Sequence, residues 1–413
     1  MNKCYEKGYL EFLAYLAEFE SAGFKVYNLL EAIHTNTINL DKCYQTLANQ
    51  YILLENSMGA PHLALRKLSE VVPHSELSRF LRDYSNVAIT SGDTKSFVES
   101  TLKQELYRYR VKIGELLRLL EVLYESFLLV VFILMVVTVF PFISMSGILR
   151  AIVFVVIGLS GYVVAYYICA HLYYEVPRVN LVLDLLMLVL VSLVFVVPSM
   201  PAYLLPIMLA SHVVSKSASI HVEKHEHEAV NILHTSYARV LMGEPLGKSI
   251  VSALGTSELL SYKLVWLGLL MGLSSSRILD SANTKLPMFS KKILSLALSV
   301  LPYSYQGSVH LVHVATIVDE INATRGLVRE KAKYYILYSI AVSAIVFATY
   351  VLLTRVPAIL AVNPQLLASY SYAGSLISAQ PATLLRERGF TSSKTAVLLL
   401  IVLTVVYFAI IFM

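Results

Sequence analysis

Stretches of about twenty residues without a single Asp, Glu, Lys or Arg recur along this chain, and they constrain its fold more than any motif does. A helix needs about 20 apolar residues to cross a hydrocarbon core of about 30 Å. Ser126 to Ser144 and Ala151 to Ala170 are uncharged, and Val179 to Ser215 carries only Asp184 and the titratable His212. Pro198 and Pro201 divide that last stretch, ending one helix and starting the next, so this region is expected to cross four times. Tyr334 to Thr354, Val356 to Leu385 and Thr395 to Met413 are uncharged as well. The middle one contains Asn363, Pro364, Gln365, Gln380 and Pro381, and either spans or lies re-entrant. With 57% hydrophobic and only 15% charged residues, lipid is the expected solvent for a large part of the chain.

Basic residues flanking membrane helices are retained on the cytoplasmic side, which sets the expected orientation. Lys3, Glu6, Lys7, Glu11, Glu18 and Glu20 give the first twenty residues no signal-peptide character, so the N-terminus is expected in the cytosol. Seven crossings then leave, of the 33 Lys and Arg, only Arg150 and Arg355 outside. Arg386, Arg388 and Lys394 fall inside only if Val356 to Leu385 does cross. Cys4, Cys43 and Cys169 lie inside or within the membrane in this layout and are expected to be free buried thiols. The expected fold is all-α: a polytopic membrane protein of about seven transmembrane helices with two repeated cytosolic helical-bundle domains. Residues 1–122 and 216–333 form the cytosolic parts, 123–215 four membrane helices, and 334–413 three.

Both soluble parts carry helical periodicity. Leu102, Leu106, Tyr109, Ile113, Leu116 and Leu120 make one stripe leading into the first span, and Leu311, Val314, Val318 and Ile321 do the same before the fifth. The two parts also match each other. The first reads Ser21-Ala22-Gly23-Phe24, then Met58-Gly59, then Ser91-Gly92-Asp93; the second reads Leu241-Met242-Gly243-Glu244, then Met271-Gly272, then Gln306-Gly307-Ser308. Glycine spacings are 36 and 33 in the first, 29 and 35 in the second. At such positions glycine is expected to end a helix in a left-handed conformation, with Asp93 or Ser308 capping the next helix.

The paired segments Ser21 to Ala32 and Leu241 to Ala253, the helix starts at Gly92-Asp93 and Gly307-Ser308, and the junction Leu120-Glu121-Val122-Leu123-Tyr124-Glu125 resemble the type II secretion F-domain family. That family comprises the membrane platforms of type II secretion, type IV pili, tight-adherence pili, and the archaeal flagellum and adhesive pili. The resemblance covers both soluble parts and the membrane helices that follow them, and the extra spans look most like the archaeal branch. A departure is Ser308, where an acidic residue often follows the glycine. The resemblance implies a non-enzymatic scaffold, a homodimer, that engages a hexameric cytosolic assembly ATPase and binds pilin subunits through its membrane helices. Partner contacts are then expected at Gly92, Asp93, Gly307 and Ser308, with Gly23, Gly59, Gly243 and Gly272 defining the repeat.

Charged residues at the membrane boundary are further candidates. Glu121 and Glu125 enter the first span, and with Asp184 they are expected to form an acidic rim. Asp184 reads either as a solvated interfacial charge or as a contact for a charged pilin N-terminus. No phosphate loop, Gly-x-Ser-x-Gly elbow or His-Glu-x-x-His helix is present, and no cofactor is expected. His221 and His225 share a helix face at metal-compatible spacing, and His310 and His313 lie near Asp319, but both pairs read better as solvated helix surface. The net charge of +5 is small, and its clustering beside membrane ends suits anionic lipid rather than nucleic acid. Two other classes remain open: a secondary transporter, which would repeat its membrane part rather than its soluble part, and a membrane signalling scaffold.

Overall fold

A computed structural model describes residues 2–38, 40–139, 146–172, 175–197, 199–273, 277–278, 286–299, 310–354 and 364–412. The elements in chain order are α1 (Asn2–Ser21), α2 (Val26–His34), α3 (Lys42–Met58), α4 (Pro61–Val71), α5 (Ser75–Thr90), α6 (Thr94–Val139), α7 (Gly147–His171) and α8 (Arg178–Ser192). A 3-10 turn at Leu193–Phe195 follows, then α9 (Met200–Leu241), α10 (Leu246–Gly255), α11 (Leu260–Leu270), α12 (Met288–Ser299), α13 (His310–Thr354), α14 (Pro364–Glu387) and α15 (Lys394–Phe412). All regular structure among the described residues is helical.

The chain divides into two compact units, and each draws on two separate parts of the sequence. Unit 1 is Met1–Arg110 with Lys224–Asn322; unit 2 is Val111–Glu223 with Ala323–Met413. Three helices, α6, α9 and α13, have residues in both units.

Unit 1 is organised around α1, whose Phe12, Leu13, Tyr15, Leu16 and Phe19 are fully buried. Phe12 stacks on Tyr44 of α3, with centroids 5.3 Å apart, and meets Phe80 of α5 edge-on. On the other side Tyr15 is hydrogen-bonded to Ser295 of α12 at 2.6 Å, and Glu11 pairs with Lys292. The two soluble segments, expected to bury separate cores, therefore share one through α1. Glycine turns separate the helices: Gly23, Gly59, Gly92, Gly243 and Gly272 all have φ between 67° and 93°, the left-handed region expected for them. Gly307 and Ser308 lie outside the described residues.

One expectation fails in this unit. Cys4 and Cys43 are joined by a disulfide, with Cα atoms 6.3 Å apart, and only Cys169 is a free, buried thiol. Close packing of α1 on α3 brings the pair together: the Gly8 backbone sits against the Tyr44 ring, and the Tyr44 hydroxyl donates to the Tyr5 carbonyl at 2.9 Å.

In unit 2, among the described residues, three helices are long and apolar enough to cross a membrane: Gly147–His171, Arg178–Phe195 and Lys394–Ile411. That is fewer than the seven expected. The expected crossings at 126–144 and 334–354 fall in part on residues outside the described side chains.

The doubtful segment, Val356 to Leu385, contains α14, and α14 lies at the centre of the unit. Every residue from Leu367 to Leu385 is buried. Helix α14 packs on α7, α8 and α15 with small residues on all sides: Ala368, Ser369, Ala373, Gly374, Ser375, Ala379 and Ala382. Its modest hydropathy follows from that position, because a helix enclosed by other helices need not be apolar toward lipid. Ser369, Ser378 and Thr383 turn their hydroxyls back onto carbonyls of their own helix. The closest approach is at Gly158 of α7, where a Cβ would come within 2.6 Å of Ile377 and 2.9 Å of Leu188.

Candidate functional site

A cluster of buried polar groups lies in unit 2, at the start of α8. Asn180 and Asp184 are one helical turn apart and share a face. Both are fully buried, facing the turn between α14 and α15. Asp184 Oδ1 accepts from the Thr391 backbone N–H and the Thr391 hydroxyl, each at 2.8 Å. Its Oδ2 accepts from the Phe390 N–H at 2.8 Å and from the Tyr162 hydroxyl of α7 at 3.2 Å. Four donors fill the acceptor capacity of a carboxylate.

Asn180 extends the network. Its Nδ2 donates to Ser219 Oγ at 2.8 Å and to the Arg388 carbonyl at 3.0 Å, and its Oδ1 accepts from Ser215 Oγ at 2.6 Å. Ser215 also meets Thr391 Oγ1 at 2.9 Å, and His212 Nδ1 lies 2.8 Å from the Thr391 carbonyl. His212, Ser215 and Ser219 recur at steps of three and four on α9, which puts all three on one stripe.

The turn held by these groups has unusual backbone. Arg388 adopts φ 65°, uncommon for a side chain larger than Asn or Gly, and Gly389 follows with φ 158°. A Cβ at Gly389 would lie 3.0 Å from Asp184 Oδ2, so the carboxylate approaches the backbone only because glycine stands there. The Arg388 side chain is buried too, and it donates to the Glu175 carbonyl at 2.8 Å.

Asp184 is thus neither a solvated interfacial charge nor available to a partner's ammonium group. It clasps the α14–α15 turn. The acidic rim loses this member: Glu121 pairs with Lys331 at 2.9 Å on the surface of unit 2, and Glu125 is exposed.

A second buried carboxylate organises unit 1 around the glycine turns. Glu20, at the end of α1, accepts from the Tyr84 hydroxyl, from Thr94 Oγ1 at 2.7 Å and from Lys25 Nζ at 3.1 Å. Tyr84 in turn accepts from the Val26 N–H, the first residue of α2, at 3.2 Å. Burial first, and then the Glu20 carboxylate, hold the Tyr84 hydroxyl well above its ordinary range, so it remains a donor. The Gly23 turn and the Gly92-Asp93 helix start, far apart in sequence, therefore meet at one carboxylate. Gly92 and Asp93 are exposed, and Asp93 Oδ1 caps α6 by accepting the Ser96 N–H at 3.2 Å.

The turns at Gly23 and Gly243 have the same bonding. Gly23 N–H bonds Glu20 O and Phe24 N–H bonds Phe19 O; Gly243 N–H bonds Val240 O and Glu244 N–H bonds Arg239 O. This pair of bonds, reaching back three and five residues, is the Schellman motif. A short amphipathic helix, α2 or α10, follows each turn.

His225 and His313, one from each histidine pair, have neighbours on other helices. His225 Nε2 lies 2.9 Å from Ser261 Oγ, and His313 Nε2 lies 3.0 Å from Ser21 Oγ and 3.6 Å from Glu99 Oε1. Among the described residues no three His, Cys, Asp or Glu side chains converge as metal ligands. The two carboxylate clasps are not legible in the sequence because Tyr84 and Thr94, and Phe390 and Thr391, lie more than 60 positions from the carboxylates they bond. No family model, curated protein or solved structure matches the chain.

Proposed function

We propose that this protein is the membrane platform of a pilus-like assembly or secretion machine, of the kind found in the type II secretion F-domain family. Its soluble unit engages a hexameric cytosolic ATPase, and its membrane unit handles pilin-like subunits. What supports the reading is the matched pair of Schellman turns with their following helices, α1–Gly23–α2 and α9–Gly243–α10. A duplicated soluble module alternating with membrane helices is the architecture the resemblance calls for, whereas a transporter would repeat its membrane part.

The membrane unit then consists of seven crossings, the apolar parts of α6, α9 and α13 joining α7, α8, α14 and α15. The N-terminus is cytosolic. A displacement imposed on unit 1 is carried along α6, α9 and α13, which run unbroken from residues of one unit into residues of the other. The test is deletion of the gene and complementation in its native host, with filaments scored by electron microscopy. Loss of surface filaments and accumulation of unassembled pilin in the membrane are expected. Normal filaments in the deletion strain would rule the platform out.

A further inference from the structure

The end of unit 2 opposite the Asp184 clasp holds a buried charge with no counter-charge. Arg150, in the first turn of α7, is 7% exposed, its Nε has no hydrogen-bond partner, and it stands in no ion pair among the described residues. Asp184 cannot neutralise it. Tyr162, which bonds Asp184, is twelve residues along the same helix, roughly 18 Å away at 1.5 Å per residue. Residues 126–174, 185–222, 331–386 and 388–413 contain no Asp or Glu.

What Arg150 faces can be read from the contacts along its helix. Phe154 meets Tyr370 of α14 with centroids 6.0 Å apart, Gly158 lies against Ile377, and Gly161 lies against Pro381. Helices α7 and α14 therefore run side by side in the same direction. One turn before Phe154, on the same buried face, Arg150 comes level with the first turn of α14. Tyr370, in the second turn of α14, has a buried hydroxyl that also lacks a partner. The N-terminus of a helix carries a partial positive charge and outward-pointing N–H groups, and the first turn of α14 holds no acidic residue to offset it. A guanidinium beside the positive end of a helix favours an anion that joins them.

We propose that Arg150, the Tyr370 hydroxyl and the N-terminus of α14 form an anion site for phosphate, either the headgroup of an anionic phospholipid or free phosphate. A guanidinium presents a planar fork of donors suited to phosphate oxygens, and a helix N-terminus adds backbone donors. The site lies at an end of membrane-crossing α7, the level at which headgroups are met.

The full chain in nanodiscs tests this. Wild type in phosphatidylglycerol-containing discs is expected to melt several degrees higher than in phosphatidylcholine discs. Arg150→Gln is expected to abolish the difference, Arg150→Lys to keep part of it, and Lys394→Gln, at the other end of the unit, to leave it unchanged. Titrating inorganic phosphate into lipid-free detergent solution separates the sources: a shift in wild type but not in R150Q assigns free phosphate, and a shift with lipid alone assigns the headgroup. No shift with either anion, or equal shifts in wild type and R150Q, would mean an adventitious ion only and overturn the site. Should R150Q fail to fold, native mass spectrometry of wild type from an equal mixture of the two lipids decides. Enrichment of the anionic lipid supports the site, and equal retention refutes it.

Discussion

Asp184 was legible in the sequence as an anomaly, an acid inside an apolar run, but its environment was not. The residues that surround it, Phe390 and Thr391, lie more than 200 positions away, where no local window can see them. Removing its carboxylate leaves two backbone N–H groups and the Tyr162 hydroxyl without an acceptor in a buried site. Asp184→Ala should cost about 3 kcal/mol or more, and thermal melting in detergent should show it as a markedly lower Tm. An unchanged Tm would mean that the clasp contributes nothing. His313 offers a test at the same scale in unit 1. Burial holds its imidazole below the usual pKa, against a smaller opposing pull from Glu99. The folded state thus favours neutral His313, and this contribution is fully present above the unfolded value of about 6.5 and lost as pH falls below it. His313→Gln should flatten the fall in unit 1 stability between about pH 6.5 and 5, followed by hydrogen exchange of the α1 and α13 amides.

At the scale of elements, the glycine turns were readable and α14 was not, for opposite reasons. Positive φ is demanded by a turn's own backbone, so Gly23 or Gly243 announces it locally. Helix α14 instead takes its character from three neighbours. Hydropathy assumes that a helix faces lipid, and a helix rich in Ser, Ala and Gly, with Gln380 buried in it, escapes that measure because it faces protein. Its packing predicts that Gly158→Leu, which forces a side chain into Ile377 and Leu188, should disrupt the α7–α14 contact. The loss should be seen as a Tm drop in the full chain, whereas the same change at exposed Gly114 should be tolerated. The Cys4–Cys43 bond is invisible to a rule based on compartment and follows only from the α1–α3 contact. Breaking it with Cys43→Ser releases a closure 39 residues long, which costs about 4 kcal/mol on chain-entropy grounds. Non-reducing peptide mapping should recover the Cys4–Cys43 pair from wild type, and unit 1 of the variant should unfold at lower temperature.

At the scale of the whole molecule, the alternation of charged and apolar stretches along the sequence folds into two units, each stitched from two distant segments. Hydropathy gives the alternation but not the stitching, which depends on α1 packing against α12 across some 280 positions. The platform reading requires unit 1 to be a docking surface for an ATPase, with the exposed Asp93 turn among its contacts. The most direct measurement is site-specific photocrosslinking from position 93 of the full chain in native membranes, with the products identified by mass spectrometry. A crosslink to a hexameric secretion-type ATPase is expected, and it should be absent when the probe is moved to position 184 in the buried clasp. Recovery of full-length protein from filament-forming cells with no ATPase crosslinked from position 93 or from other exposed positions on unit 1 would contradict it.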